Sequence, residues 1–489
     1  MTFKGSFNRI SGSHKALLVI FLISLPMVNP WVRGDGVGYY AYLRAMLIEG
    51  HLDFEKDWQH ANQSFQMYRV DPDGKPKQGG YTVTGHLDNH FATGPSILWS
   101  PFLIVTHGVV LLADRLGAHI SADGFSWPYV DTLAFATAFY GFLGLLISFE
   151  LARKYFAERW ALLATIGIWF ASSLPVYMYF NPSWSHALSA FIVAMFLWYW
   201  DRTRGSRTIL QWTILGLIAG LLIDVYYPNA LALLAPALES IGRYYAAMRQ
   251  PTKNSRLGRL ALGNLIFVCS AIFAFLPTPV TRQIIYGNPF ASGYPEMGHW
   301  AWFRPNLLQV LFSSDHGLLS WTPIIFLAVL GLLPLLRRDR QLGVALIAIV
   351  AAYYYLIASS PFWDGLSSFG NRYFISLTSI FIIGLAGTFT ALEEFWSARR
   401  ANILAYGGTA LLIGWNLAFI FQWGIHMVPA RGSISWRTMV RNQFTAVPTA
   451  FLDEFDRYVL HRRKLMEQIE KSYIEQLQHK RSSPSQGDK

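Results

Sequence analysis

Cysteine and charge are what this 489-residue sequence has least of: one cysteine, and 14% charged residues, against about 25% charged in an ordinary soluble domain. A single cysteine, Cys269, excludes an intramolecular disulfide and a thiolate metal cluster. Its place inside an apolar run gives it the role of a small packing residue. So few charges cannot cover a water-facing surface of this size, which excludes a soluble enzyme and a disordered chain. The sequence also contains no Walker motif, GxGxxG, HExxH or fixed-period repeat. What it has instead is 53% hydrophobic and 16% aromatic residues, with a formal net charge of +11 and a mean hydropathy of +0.29.

The positive charge is not a nucleic-acid footprint, because the basic residues fall in short clusters between apolar runs of about 20 residues, the length that crosses a bilayer. The first run, 16–32, follows Lys4, Arg9 and Lys15 and has no small-x-small cleavage site after it. It reads as a retained signal anchor with its start in the cytoplasm, which places the polar stretch 34–93 outside. The run 94–113 carries Pro95, Pro101 and His107, and no basic cluster follows it; the run 130–151 ends in Arg153, Lys154 and Arg159. Were both to cross, that cluster and every later one would be inverted. We therefore expect 94–113 to be a juxtamembrane or re-entrant helix pair, buried in protein or lining a wet cavity.

The remaining spans, 160–180, 183–201, 208–224, 228–242, 260–279, 319–336, 342–359, 373–394 and 402–424, then alternate consistently. Their even turns carry Arg202, Arg204 and Arg207; Arg243, Arg249, Lys253, Arg256 and Arg259; Arg337, Arg338 and Arg340; and Arg399 and Arg400. The expected fold is an all-α polytopic membrane protein with about eleven transmembrane helices. Residues 1–424 form its catalytic domain, 34–129 being a large first extracytoplasmic loop with juxtamembrane helices, and 425–489 form a polar tail. In that tail Leu465, Ile469, Tyr473 and Leu477 recur every four residues, predicting an amphipathic helix on the membrane or on the protein's own loops. The end from residue 482 reads as disordered.

Reactive side chains gather at the outer ends of the spans, which favours surface chemistry over a transport path through the midplane. Asp35 follows the first span among glycines 34, 36 and 38 and ahead of Tyr39 and Tyr40. A carboxylate there can take a proton from a hydroxyl nucleophile, or simply cap a helix. His86, Asp88 and His90 alternate in an extended segment, a spacing open to a divalent metal but favouring hydrogen bonds to polar groups of a substrate. His186 and Asp224, at outer helix ends, are candidates for the same cavity or for satisfied end groups. Arg372, with His316, Arg282 and Arg304 as further possibilities, can meet a lipid phosphate or snorkel. Asn62-Gln63-Ser64 is a glycosylation sequon only in an endoplasmic-reticulum setting.

With an acidic residue just after the first span, a long first external loop returning through juxtamembrane helices, and basic cytoplasmic turns, the chain resembles the GT-C superfamily of polytopic glycosyltransferases. That superfamily includes protein O-mannosyltransferases, lipid A aminoarabinose transferases and bacterial RgtA/B/C/D-like enzymes. The resemblance covers about residues 1–424 and extends to Asn288-Pro289-Phe290 with Gly293-Tyr294, to the stretch 313–323 ending Trp321-Thr322-Pro323, and to Ser368-Phe369-Gly370-Asn371-Arg372. It implies a sugar donor on polyprenyl phosphate and a lipid, glycan or protein acceptor. It makes Asp35 the base for in-line attack, with Arg372 first and His316 second as stabilisers of the departing phosphate. Many relatives carry a second acidic residue beside the first; here Gly36 stands in that place. No cofactor is expected and a divalent metal is not favoured. The expected setting is a bacterial cytoplasmic membrane, with the site facing outward. The rival readings are a flippase of polyprenyl-linked sugars and an O-antigen ligase or polymerase.

Overall fold

The computed structural model describes residues 11–249, 253–293, 299–429 and 432–482. Lys4, Arg9, Tyr294, the end from 483, and the side chains of Lys253, Arg256 and Leu477 lie outside the described residues. Among the described residues the chain is helical, with β-pairing limited to two isolated bridges, Val70 with Pro76 and Tyr81 with Leu87.

Among the described residues six helices are long and apolar enough to cross a membrane: Gly94–Arg115, Trp127–Arg153, Leu257–Phe275, Arg340–Ser359, Arg372–Phe395 and Ala398–Gly424. Gly12–Met27 and Ile209–Val225 are shorter apolar helices. Other expected spans are segmented. The run 319–336 divides into Leu318–Trp321, Ile324–Leu330 and Leu332–Arg338. The run 160–180 gives the helix Glu158–Phe170 and then a π-turn, Val176–Phe180, after Pro175. Pro323 is the physical reason in the first of these, since Thr322 before it stands outside helical geometry at φ −132°, ψ 70°. Trp127–Arg153, His186–Thr203 and Thr378–Phe395 form the buried centre. Cys269, expected as a packing residue, is exposed on the apolar helix Lys253–Phe275.

The basic turns that are far apart in sequence meet at one face. Lys154 Nζ lies 2.6 Å from Asp201, Arg207 Nη1 2.9 Å from Glu239, Arg204 Nη1 2.9 Å from Asp339, and Arg159 pairs with Glu393. The first helix starts at this face too: His14 Nε2 is 2.6 Å from Glu150 and the Ser11 hydroxyl donates to Glu158 over 2.7 Å. Gly12–Ser24 therefore runs antiparallel to Trp127–Arg153.

Gly94–Arg115, expected as a helix pair, is one continuous helix. The Ser100 hydroxyl donates to the Ile97 carbonyl over 2.8 Å, satisfying the group that Pro101 leaves without its N–H. The helix runs antiparallel to the first half of Trp127–Arg153, through Trp99 Nε1 to Thr137 at 2.8 Å, His107 to the Tyr129 hydroxyl at 2.7 Å, and the Tyr140 hydroxyl to the Leu98 carbonyl at 2.9 Å. From that level the partner continues to Arg153, so the Gly94 end stops roughly 13–17 Å short of the basic face at 1.5 Å per residue. Length and hydropathy suffice for a crossing, and the helix packs on the segment 35–44, where the Ser96 hydroxyl donates to the Tyr39 carbonyl over 2.6 Å.

Candidate active site

Asp35 is the first residue of the helix Asp35–Arg44, and Gly34, not Asp35, occupies the N-cap. Gly34 sits at φ +52°, where a side chain is strained, and its N–H donates to Asn62 Oδ1 over 3.0 Å. A Cβ on Gly36 would stand 2.0 Å from Ser183 Oγ. The helix is thus pressed against the segment 181–186, and no acidic residue fits at 36 without displacing it.

Opposite stands Arg372, at the start of the 3-10 turn Arg372–Leu377. The loop before it is fixed by Asn371 Nδ2 donating to the Trp363 carbonyl (2.8 Å) and by Phe369 N–H donating to the Tyr177 hydroxyl (3.1 Å). Arg372 Nη1 lies 3.2 Å from Asp35 Oδ2, its side chain 7% exposed against 35% for Asp35. The guanidinium lies 4.2 Å from the centre of the Trp184 ring, and Trp184 Nε1 donates to the Arg33 carbonyl over 3.0 Å. Among the described residues Nε of Arg372 finds no hydrogen-bond acceptor, and Nη1 meets Asp35 only as an ion pair. A buried cation with unused donors at a cavity wall is a ready partner for an anionic group.

That cavity encloses about 510 Å³. Asp35, Arg33 and Arg372 line its polar end, and Ile420, Phe421 and Phe455 are among its apolar walls. It suits an amphiphile: a charged head beside Asp35 and Arg372, an apolar body beyond.

In the tail, Ala446–Leu460 and Arg462–Ser482 fold over this cavity on the protein's own loops, while Trp436–Phe444 is held to the helix Ala398–Gly424 by Gln443 Nε2 donating to the Trp415 carbonyl (3.1 Å). Leu465, Ile469 and Tyr473 all face it. Arg462 donates to the carbonyls of Val28 (2.6 Å) and Pro26 (2.7 Å), and the Tyr458 hydroxyl donates to that of Met27 (2.7 Å). Burial first, and then the Arg33 charge, push the His426 imidazole at the cavity wall down to about 4.

The other sequence candidates do not line the cavity. The Tyr39 hydroxyl accepts from Ser185 Oγ at 3.2 Å, and the Tyr40 hydroxyl donates to the Gly124 carbonyl at 2.7 Å. His186 is buried behind Trp184 with its ring against Tyr177 and Tyr226. Asp224 is fully buried and accepts from Thr93 and Thr278. His316 is buried at the positive φ of 58°, its Nδ1 3.0 Å from the Asp364 carbonyl. Burial, aided by the Arg372 charge and opposed by Asp364, pushes its imidazole down to about 4, so the ring is neutral at neutral pH.

Asp88, His90 and Arg69 form a separate cluster behind the Asp35 helix. Arg69 Nη1 is 3.5 Å from Asp88 Oδ2, the Tyr286 hydroxyl donates to Asp88 Oδ1, and His90 Nδ1 lies 3.9 Å away. Burial alone would raise the Asp88 carboxyl, but these donors and charges hold it below the usual range. His86 points elsewhere, to Thr84 Oγ1 at 3.1 Å. Arg282 is buried and donates to the carbonyls of Asn89 (3.0 Å) and Phe91 (3.3 Å), which makes it a tie for that loop; Arg304 is exposed. No three His, Cys, Asp or Glu side chains converge to hold a metal among the described residues.

Sequence reasoning missed Trp184, Arg33 and the tail as parts of the site. Trp184 stands two positions before the candidate His186, and the four-residue apolar repeat of the tail marked a face that needed a partner.

No protein-family model and no curated protein matches the sequence. Solved structures that it is similar to include the oligosaccharyltransferase AglB from Archaeoglobus fulgidus, in complex with an inhibitory peptide and a dolichol-phosphate. The identity is 14% and the TM-score 0.48, with 89% of this chain and 54% of that one covered. This chain therefore spans about half the length of AglB. Another is ArnT from Cupriavidus metallidurans bound to undecaprenyl phosphate, at 14% identity and TM-score 0.45, with 84% and 70% of the two chains covered.

Proposed function

We propose that this chain is a membrane glycosyltransferase that moves a sugar from a polyprenyl-phosphate-linked donor to an acceptor hydroxyl. The observation that carries the reading is the Asp35–Arg372 pair, 3.2 Å apart at the polar end of an otherwise largely apolar cavity. In the reaction the acceptor oxygen attacks the anomeric carbon while Asp35 takes the hydroxyl proton. The bond from that carbon to the phosphate oxygen breaks and its electron pair stays on the phosphate. Arg372, buried and pre-aimed by Trp184, meets the developing charge. The products are the glycoside, free polyprenyl phosphate and a protonated Asp35 that returns its proton to solvent through its exposed edge. The site lies at the end of the bundle away from the basic turns, which the positive-inside rule assigns to the cytoplasm. We therefore place the chemistry on the outer face of a bacterial cytoplasmic membrane.

The test is release of free undecaprenyl phosphate from a panel of undecaprenyl-phosphate-linked hexoses and pentoses, wild type beside Asp35→Asn, with and without EDTA. The reading expects release that Asp35→Asn abolishes while donor binding persists. Donor binding by both proteins with no release by either, across a panel of lipid, glycan and peptide acceptors, would sink it in favour of a flippase.

A further inference from the structure

Asp35 follows a strained turn, and a chain of hydrogen bonds leads from that turn into the C-terminal tail. Gly34 N–H donates to Asn62 Oδ1 (3.0 Å), and the Asn62 amide Nδ2 donates to Glu470 Oε1 (2.8 Å) and to Ser64 Oγ (2.7 Å). The same Glu470 oxygen accepts from Ser64 N–H at 2.7 Å, and Oε2 lies 3.5 Å from Arg33 Nη2. Glu470 is buried, at 6% exposure. An amide can present either its oxygen or its nitrogen to a neighbour, and only the surrounding network selects between them. Here an acceptor-only carboxylate fixes the NH2 side toward Glu470 and so turns the carbonyl toward Gly34.

We infer that Glu470, on the helix Arg462–Ser482, is a positioning residue for Asp35: it orients Asn62 and pins Arg33, so the base is aligned only when the tail is docked. The inference rests on Asp35 being the base. Its consequence is that the tail is part of the catalytic unit: besides supplying the cavity wall with Leu465, Ile469 and Tyr473, it holds the base in line.

The experiment compares full-length wild type, Glu470→Ala, Glu470→Gln, Asn62→Leu and Asp35→Asn in the undecaprenyl-phosphate release assay. Hydrogen exchange is followed in parallel over residues 31–45. Misplacing a reacting group by a fraction of an ångström to 1 Å costs up to about a hundredfold, so Glu470→Ala is expected to lower kcat about tenfold or more with donor KM within about twofold. Asn62→Leu, which cuts the chain at its other end, should do the same. Glu470→Gln can keep an acceptor oxygen toward Asn62 and the Ser64 N–H but loses the Arg33 ion pair, so it should recover part of the loss, and exchange at Gly34 should quicken in Glu470→Ala more than in Glu470→Gln. Unchanged kcat and exchange in Glu470→Ala and Asn62→Leu would overturn the inference. So would equal losses in Glu470→Ala and Glu470→Gln with Gly34 exchange unmoved. Full activity in Asp35→Asn would overturn the reading of Asp35 instead, a result separable from the first because the exchange measurement does not depend on turnover.

Discussion

Replacing Arg372 tests the site most sharply, because one side chain is asked to do two things. In the resting protein it pairs with Asp35 at 3.2 Å and stacks on Trp184 at 4.2 Å. Two unit charges at that separation attract by about 5 kcal/mol at an effective dielectric near 20. Asp35 is one-third exposed, so solvent screening discounts that attraction. This ground-state pairing must be given up or shared when a phosphate arrives, so it does not itself accelerate the reaction. The catalytic part is the charge that appears on the phosphate oxygen as the glycosidic bond breaks, where one preorganised donor is worth about a hundred- to a thousandfold in kcat. Arg372→Ala should therefore lower kcat by that order, measured as initial release of undecaprenyl phosphate at saturating donor. Arg372→Lys should retain the charge but lose the planar stack and fork, giving an intermediate loss of about tenfold. Turnover in Arg372→Ala within about threefold of wild type would refute the assignment of phosphate stabilisation to this residue.

Three further outcomes follow from particular contacts. Gly36→Ala places a Cβ 2.0 Å from Ser183 Oγ, so it should cost about 1–3 kcal/mol of stability and displace Asp35; thermal unfolding and turnover should both fall, with partial recovery in Gly36→Ala/Ser183→Gly, and a neutral Gly36→Ala would count against the tight approach. Arg44 is buried and donates from Nε and Nη2 to Asp57 at 2.7 and 2.6 Å. Its removal strands a buried carboxylate, so Arg44→Ala should lose about 3–5 kcal/mol in detergent unfolding, and a loss under about 1 kcal/mol would refute this. The His316 imidazole is depressed from 6.5 to about 4. The unfolded chain therefore binds the extra proton between these values, and stability that is full above pH 6.5 falls as pH drops toward 4. The slope in melting temperature over that window should flatten in His316→Gln, and an unchanged slope would place the titration elsewhere.

How much of this was legible in advance follows the range of the forces involved. Hydropathy and charge act along the chain itself, so an all-helical membrane protein and the basic turns of one face could be read from composition and order, while the priority given to Asp35 and Arg372 came from the family resemblance. The failures come from packing. The order of the basic clusters argued for a helix pair at 94–113, a run that carries Pro95 and Pro101, yet the Ser100 hydroxyl satisfies the orphaned Ile97 carbonyl and one helix persists. His86, Asp88 and His90 share a period of two, but the turn around Gly85 sends His86 to Thr84 and leaves only the other two together. Spacing likewise offered Asp35 as an N-cap, whereas the positive φ of Gly34 makes glycine the cap and leaves the carboxylate to Arg372.

What the sequence by itself determined is the solvent this protein lives in and the residues able to carry a charge at its boundary, because both depend on local chemistry. Tertiary structure alone decided which of those residues face one another. Asp35 and Arg372 are separated by most of the chain and meet within 3.2 Å, and Glu470 reaches Asn62 across 408 positions. No periodicity encodes such pairings. They exist because helices packed on one another leave few buried donors without acceptors, and the few left at the cavity wall mark where a ligand completes the network.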